Sequence, residues 1–255
     1  MPDLAALLAS TLATGNDAAL RAELEAGSRL PGARLNLRLV DGFAAAVARL
    51  VVAPDPPVSE LEALLDGWAA LPEDEAPGDQ PAVVLPCAAV RAYGHVGAAR
   101  PDWWPDETAK LLRAASDPRW RVREVVAQSL QHLLAADWPR TITLLSTWAE
   151  SPDPLVVRAA AAAVAEPPLL KADPTRATDA ADIQSAAVRT YRSLADRRTA
   201  EAKVLRQALA FTLSVTTAAT EDFTLLDQLA ASDDQDLTWI AKENLKKARL
   251  QKLRP

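Results

Sequence analysis

Hydrophobic residues recur at helical spacing along most of the chain. Near the N-terminus, two short apolar patterns predict helices at Leu4–Ala13 and Ala18–Gly27, with capping residues in the polar stretch between them. After the turn residues at 30–32, a longer pattern at 35–51 keeps its period to the end, which favours a helix over a strand. The first part of the chain therefore predicts helical hairpins.

Two further helices are predicted before the clearest repeats begin. One starts near Ser59 and places its leucines and Trp68 on one side. The other, at 82–99, is mostly apolar, and Pro86 falls in its first turn or kinks it. The intervening stretch at 72–81 is polar and bounded by prolines, so we expect a surface loop within one domain and not a linker between domains.

A polar loop followed by Val-Arg occurs twice with one period. The loop at 116–118 precedes one such pair, a similar loop at 151–154 precedes the other, and the two Val-Arg pairs are 35 residues apart. Asp102 and Asp137, each followed by Trp and Pro, are predicted to cap helices with the same offset, and a third copy of the loop occurs at 230–233. Because one hairpin of this size cannot bury both its faces, successive hairpins must stack on one another.

Composition agrees with a helical protein. Hydrophobic residues make up 49% of the chain, which is ample for a packed core, whereas only 5% are aromatic and eight are glycine. We therefore predict an all-α fold, an α-solenoid (superhelix) of about six or seven helical hairpins. We expect a single domain over 1–255, with less regular hairpins in 1–100 and clearer repeats in 102–255.

Few side chains are suited to disulfide or metal chemistry. Cys87 is the single cysteine, and His95 and His132 are the two histidines, isolated from each other in the sequence pattern. The single cysteine excludes an intramolecular disulfide, and the set predicts neither a metal site nor a cofactor. The sequence suggests no signal peptide and no unbroken apolar run of about 18 residues, so we expect a cytoplasmic protein that does not enter a membrane.

Charge is unevenly distributed. The net charge is −6, which disfavours nucleic-acid binding by bulk attraction. The acidic excess lies mainly in 1–100, whereas 175–255 carries 13 Lys/Arg against 11 Asp/Glu. The cationic series in this part, at 189–206 and 246–254, are typical of solvated helix faces or, alternatively, of surfaces that meet an acidic partner or nucleic acid.

The repeated loop resembles that of HEAT repeats. The HEAT pattern consists of Asp-Pro, then Val-Arg, then an Ala-rich helix. In this chain it covers roughly 102–170 and 220–254. The chain also resembles bacterial HEAT-like proteins of the superfamily that includes alkylpurine DNA glycosylases, on the segments LPGARLN (30–36), WRVRE (120–124) and WIAKENLKK (239–247). The resemblance implies a DNA alkylation repair-like α-solenoid from a superfamily in which many members have no known activity.

The glycosylases of that superfamily use an Asp one helical turn beyond a Trp pair. Here the pair is Trp103 and Trp104, and the candidate carboxylates are Asp106 and Glu107. Asp106 is out of register with that spacing, and the intervening Pro105 is foreign to the motif. The resemblance therefore implies that the catalytic motif is not preserved, and an enzyme activity, if there is one, would be glycosylase-like.

Tryptophan and arginine side chains near the repeated loops are candidates for a binding groove. The set is Trp103, Trp104, Trp120, Arg119, Arg121, Arg123 and Arg158. Trp120 has no aromatic counterpart in the next repeat, whereas Trp104 and Trp138 recur and are typical of anchored helix ends. Arg123 and Arg158 have carboxylates nearby with which to form ion pairs between repeats. Arg119 and Arg121 are expected to be freer.

These features predict a non-catalytic HEAT-repeat scaffold that binds a protein partner on its concave face. The alternative is a DNA-binding or DNA alkylation repair protein that grips duplex DNA in the same groove. The net acidity favours the protein partner, and the superfamily resemblance favours DNA.

Overall fold

Helices are the main secondary structure of the part of the chain that the structure describes. A computed structural model describes residues 3–254, in which there are fifteen α-helices, one short 3-10 turn and no strand. The all-α prediction is therefore confirmed. The helices are α1 Leu4–Thr14, α2 Ala18–Gly27, α3 Leu37–Val51, α4 Val58–Ala69, α5 Val84–Ala99, α6 Trp104–Ala115, α7 Trp120–Ala136, α8 Trp138–Ala149, α9 Pro154–Val164, α10 Pro167–Lys171, α11 Pro174–Ser193, α12 Ala200–Thr220, α13 Thr224–Ala230, α14 Gln235–Leu245 and α15 Ala248–Gln251.

Local sequence signals set where many helices begin. The Asp3, Asp137 and Asp173 side chains each accept a hydrogen bond from a backbone N–H of the first turn. Proline stands in the first turn of α6, α8, α9, α10 and α11, where its missing N–H costs no helical hydrogen bond. Because these signals act within a few residues, the predicted bounds of α1 and α2 agree with the observed ones to within one residue.

The repeated loop has one geometry in all three copies. Oδ1 of Asp117 accepts a hydrogen bond from the backbone N–H two residues further on, at 2.8 Å, and Oδ1 of Asp153 does the same at 2.8 Å. In the third copy the acceptor is Asp234, at 2.9 Å, and not Asp233, where the sequence comparison placed it. In the second and third copies the aspartate thus caps the helix that follows it, whereas the Asp117 bond is made to Arg119, the residue before α7.

The predicted helix cap at Asp102 is wrong. Asp137 does cap α8, accepting a hydrogen bond from a first-turn N–H at 3.2 Å. Asp102 instead forms a two-bond ion pair with Arg100 at 3.0 and 2.7 Å, and Trp103 takes the capping position of α6. The reason is spacing, because the extra tryptophan moves Asp102 one residue further from its helix than Asp137 is from α8.

The contacts divide the chain into two compact units, Met1–Ala136 and Asp137–Pro255. In the first unit α5 packs against both α3 and α7. In the second unit α12 packs against both α9 and α14. Each unit therefore has a layer of three helices with one central helix. One domain over 1–255, and the number of stacked hairpins in it, stay predictions.

Helix α5 forms the core of the first unit. The stretch Pro81–Ala99 is long and apolar enough to cross a membrane by length and composition, and 72% of its apolar window is buried within the protein. Cys87 lies in this helix, and burial raises the pKa of its thiol to about 12. Cys87 is therefore a core side chain and not a reactive thiolate.

Candidate binding groove

A groove beside Trp120 lies in the first unit and has a volume of about 220 Å³. It is lined by Ala33, Arg34, Leu35, Leu37, Trp120, Arg121, Glu124, Val125 and Gln128. The first turns of α7 supply one wall, and the segment that leads into α3 supplies the other. Trp120 is 52% exposed and Leu37 is 38% exposed, so two large apolar side chains face solvent at one groove.

Arg121 fixes the Trp120 ring. Its guanidinium carbon lies 4.3 Å from the centroid of that ring. The same guanidinium donates to the carbonyl oxygens of Gly78 at 3.1 Å and Gly32 at 3.2 Å. Since these glycines belong to separate loops, Arg121 ties both loops to the start of α7, and the groove wall is formed before any partner arrives.

The prediction that Arg119 and Arg121 are the freer arginines is wrong. Arg119 is 4% exposed and Arg121 is 7% exposed. Arg119 forms a two-bond ion pair with Asp117 at 2.8 and 2.7 Å and donates to the carbonyl oxygen of Leu71 at 2.9 Å. The hydrogen bonds to Asp117 raise the pKa of Arg119 above its ordinary value. Both guanidinium groups donate to backbone carbonyl oxygens of the preceding loops, and these oxygens are partly buried, except that of Ala76, which is fully buried.

Arg123 and Arg158 occupy equivalent repeat positions in different units. Arg123 donates to the carbonyl oxygens of Asp117 and Pro118 at 2.6 and 2.7 Å, which closes the repeated loop. Arg158 is half-buried on α9. Neither side chain lines the groove, and Arg121 is the predicted arginine that does.

The pair Trp103 and Trp104 stands at the start of α6, and both residues are half-buried. The guanidinium carbon of Arg100 lies 4.3 Å from the Trp103 ring centroid. Neither ring of the pair lines the groove. Of the three tryptophans predicted for a groove, the structure therefore places Trp120 there and the other two elsewhere in the first unit.

The two candidate carboxylates have opposite environments. Asp106 is exposed in the first turn of α6, whereas Glu107 is 3% exposed. Glu107 forms an ion pair with Lys110 at 3.2 Å, and Lys110 also lies 3.4 Å from Asp66. Burial raises the pKa of Glu107 to about 7. Glu107 is thus a buried ion-pair partner, and neither carboxylate lines the Trp120 groove.

Two histidines that the sequence pattern leaves apart are stacked face to face. His95 on α5 and His132 on α7 have ring centroids 3.9 Å apart and ring planes 11° from parallel. The expectation that they are isolated is wrong, because α5 and α7 pack side by side. Burial, then His132 and the cationic Arg91, lowers the pKa of His95 from 6.5 to about 3, and burial also lowers that of His132.

The stacked pair should make the stability of the first unit fall as the pH drops below about 6.5. In that range the unfolded His95 binds a proton, but the folded one stays neutral until the pH approaches about 3. Full stability is therefore present above the ordinary histidine pKa and is lost towards acid. We expect a loss of about 1–2 kcal/mol at about pH 5.

The raised pKa of Glu107 acts in the opposite direction over the same range, because the folded carboxyl binds a proton there before the unfolded one does. The His95 loss is therefore measured as the difference between two proteins, each unfolded with denaturant at about pH 7.5 and about pH 5. The variant His95→Leu removes the histidine titration, so it should lose about 1–2 kcal/mol less than the wild type between the two pH values, while Glu107 contributes equally to both proteins. An equal pH difference in the wild type and the variant would contradict the prediction.

Leu37 and Arg34 line the groove but were not among the predicted groove residues. The helical pattern assigns Leu37 to the apolar side of its helix, whereas the structure leaves it partly exposed as the first residue of α3. Arg34 lies in the segment at 30–36, one of those that carry the superfamily resemblance. That resemblance was the sequence signal that could have identified Arg34 as a groove residue. Among residues 3–254, no group of three His, Cys, Asp or Glu side chains is placed to hold a metal ion.

Comparisons with known proteins assign the chain to no family. No protein-family model matches it, and no curated protein matches it in sequence. A solved structure described as "Crystal Structure of Engineered Protein. Northeast Structural Genomics Consortium Target OR329" aligns with 99% of this chain and 98% of its own length, at 15% identity and a TM-score of 0.43. A likeness at that level carries no argument, so function has to be argued from the groove itself.

Proposed function

We propose that this protein is a non-catalytic helical-repeat scaffold that holds a protein partner in the Trp120 groove. The observation that carries the proposal is the joint exposure of Trp120 and Leu37 at one groove. Exposed tryptophan is unfavourable in water and is enriched among the residues that dominate the energy of protein interfaces. Membership of the HEAT-like superfamily and a cytoplasmic location belong to the same proposal and are supported by the sequence pattern alone.

The proposed occupant is a segment with one apolar anchor and an acidic neighbour. Leu35 and Val125 extend the apolar lining from Trp120 and Leu37, which suits a branched or aromatic anchor side chain. Arg34 is exposed at the rim and forms no ion pair within residues 3–254, so it can receive a carboxylate. Pre-organisation of the wall by Arg121 reduces the ordering cost of binding.

Duplex DNA in the same groove has less support from the geometry. Phosphate contacts need arginine N–H groups that face the solvent. Arg119 and Arg121 direct theirs at carbonyl oxygens of the first unit, and Arg123 directs an N–H at the repeated loop. The carboxylate of Glu107 is engaged by Lys110, which gives no support to a glycosylase-like activity.

Affinity capture followed by titration tests the proposal. Proteins captured from a lysate by the wild type should be lost with Trp120→Ala and with Leu37→Glu, because each change removes an apolar contact at the groove. A recombinant partner identified in this way should bind Trp120→Ala at least about tenfold more weakly, since truncation of a central interface tryptophan costs about 2 kcal/mol or more.

Leu112→Ala is the matched control. Leu112 is 41% exposed on α6 and does not line the groove, so its truncation should leave binding unchanged. Circular dichroism confirms that each variant is folded. The proposal fails if the captured proteins bind Trp120→Ala as tightly as they bind the wild type, or if capture depends on contaminating DNA and disappears after nuclease treatment.

A further inference from the structure

The second unit carries an exposed aromatic ring between two cations. Phe211 on α12 is 46% exposed. The Lys247 Nζ lies 5.5 Å from its ring centroid, and the guanidinium carbon of Arg249 lies 5.1 Å from it. In the described part of the chain neither cation forms an ion pair, so their charge is available to a partner.

A buried asparagine fastens α14 to α12 close to Phe211. Asn244 is fully buried, and its Oδ1 accepts a hydrogen bond from the backbone N–H of Ser214 at 2.7 Å. Its Nδ2 donates to the carbonyl oxygens of Leu209 and Ile240 at 2.9 and 2.8 Å. These bonds fasten the last turn of α14 to α12 on either side of Phe211. The following residues, Lys247 included, are thereby fixed beside the ring.

The local charge is opposite to that of the whole chain. Residues 237–255 contain six Lys/Arg and one Asp/Glu, whereas the chain has a net charge of −6. Lys246 pairs with Glu243 at 2.6 Å, and Arg254 pairs with Asp227 at 2.8 Å. Lys242, Lys247, Arg249 and Lys252 form no ion pair among the residues described, which leaves a cationic surface around Phe211.

We propose that Phe211, Lys247 and Arg249 form a contact surface for a single-stranded polynucleotide. A base would stack on the open part of the phenyl ring, and the two cations would meet the phosphates that flank it. Surfaces that bind single strands without sequence preference combine these two elements, an aromatic platform and cations along the backbone. An acidic protein segment with an aromatic residue would use the same groups, whereas a polynucleotide supplies a planar base and a phosphate at every nucleotide.

This inference does not depend on the Trp120 groove, because it concerns other residues in the other unit. The probes are fluorescently labelled thymidine and uridine strands of about 16 nucleotides, with a duplex of equal length, at about 50 and about 200 mM salt. Fluorescence anisotropy should show binding of single strands that weakens with salt. Phe211→Ala should weaken it by about tenfold, as expected for one lost stacking contact.

Charge variants separate a local site from bulk attraction. Lys247→Gln with Arg249→Gln should lower the slope of log affinity against log salt by about 1.4, because about 0.7 counterions are released per contact on a single strand. Lys171→Gln is the control, since Lys171 is an exposed cation on α10 and its replacement removes charge from the same unit. Phe211→Leu keeps the apolar bulk but lacks a ring, and it should behave like Phe211→Ala.

Binding of the thymidine or the uridine strand, weakened as described in the variants, supports the proposal. The strand that binds with higher affinity shows whether the surface prefers DNA or RNA. Absence of salt-sensitive binding would overturn it, as would an equal loss per removed charge in Lys171→Gln and in the double variant. A preference for duplex with no effect of Phe211→Ala would overturn it as well. Binding to phosphatidylserine vesicles without binding to strands would assign the surface to a membrane and also overturn it.

Discussion

Replacement of Arg119 by methionine should destabilise the first unit by about 3–5 kcal/mol, the range for removing one partner of a buried ion pair. Asp117 would keep its charge but lose both of its bonds to the guanidinium, although its side chain is only 12% exposed. The carbonyl oxygens of Leu71 and Ala76 would lose a donor in the same step. Denaturant unfolding followed by circular dichroism measures the loss.

The chain contains a matched control for this experiment. Arg198 pairs with Asp196 through the same spacing of two residues, and the backbone N–H of Arg198 also binds that carboxylate. The Arg198 side chain is 89% exposed, so Arg198→Met should leave the stability unchanged. If Arg119→Met and Arg198→Met were equally stable, burial would not explain how much the Arg119–Asp117 ion pair contributes to the free energy of unfolding.

A double variant tests the cause. Asp117→Asn keeps an acceptor for the backbone N–H of residue 119 and removes the buried charge that Arg119→Met leaves behind. Combining the two changes should therefore recover part of the stability lost in the single arginine variant. No recovery would show that the lost carbonyl contacts, and not the unpaired carboxylate, account for the effect.

Helix positions could be predicted from the sequence because their signals are local. Asp and Pro at helix starts act on the next few residues, so the helical hairpins and the capping role of the repeated loop were accessible from the pattern. The environment of an arginine is not local. Arg119 and Arg121 are buried, and they donate to carbonyl oxygens that lie more than forty residues away in sequence. No sequence pattern near the two arginines indicates these acceptors.

The candidate groove was predictable only in part for the same reason. Trp120 broke the repeat pattern, and it is the exposed tryptophan of the groove. Leu37, on the opposite wall, becomes a groove residue because the segment that leads into α3 is held at the start of α7 by Arg121, which depends on tertiary packing. The stacking of His95 on His132 was not predictable for the same reason, because it depends on the packing of α5 against α7 and neither histidine belongs to the repeated markers.

Gly94 shows how closely these two helices approach. A Cβ atom on Gly94 would lie 2.7 Å from the Cβ of Ser129, 2.9 Å from its Cα and 2.9 Å from its carbonyl oxygen. Two of these atoms belong to the backbone of α7, so a rotamer change of Ser129 cannot make room. The hydroxyl of Ser129 donates to the carbonyl oxygen of Val90 at 3.0 Å and holds the helices at this distance.

Gly94→Ala should therefore cost about 3 kcal/mol, since overpacking against the α7 backbone outweighs the roughly 1 kcal/mol that alanine contributes in a helix. Gly67→Ala on α4 is the matched control, because a Cβ there has no neighbour within 4 Å. It should stabilise the protein by about 0.5–1 kcal/mol. Denaturant unfolding gives both values, and hydrogen exchange should show α5 and α7 opening together in Gly94→Ala alone. If both variants gained stability, the close contact between α5 and α7 would be refuted.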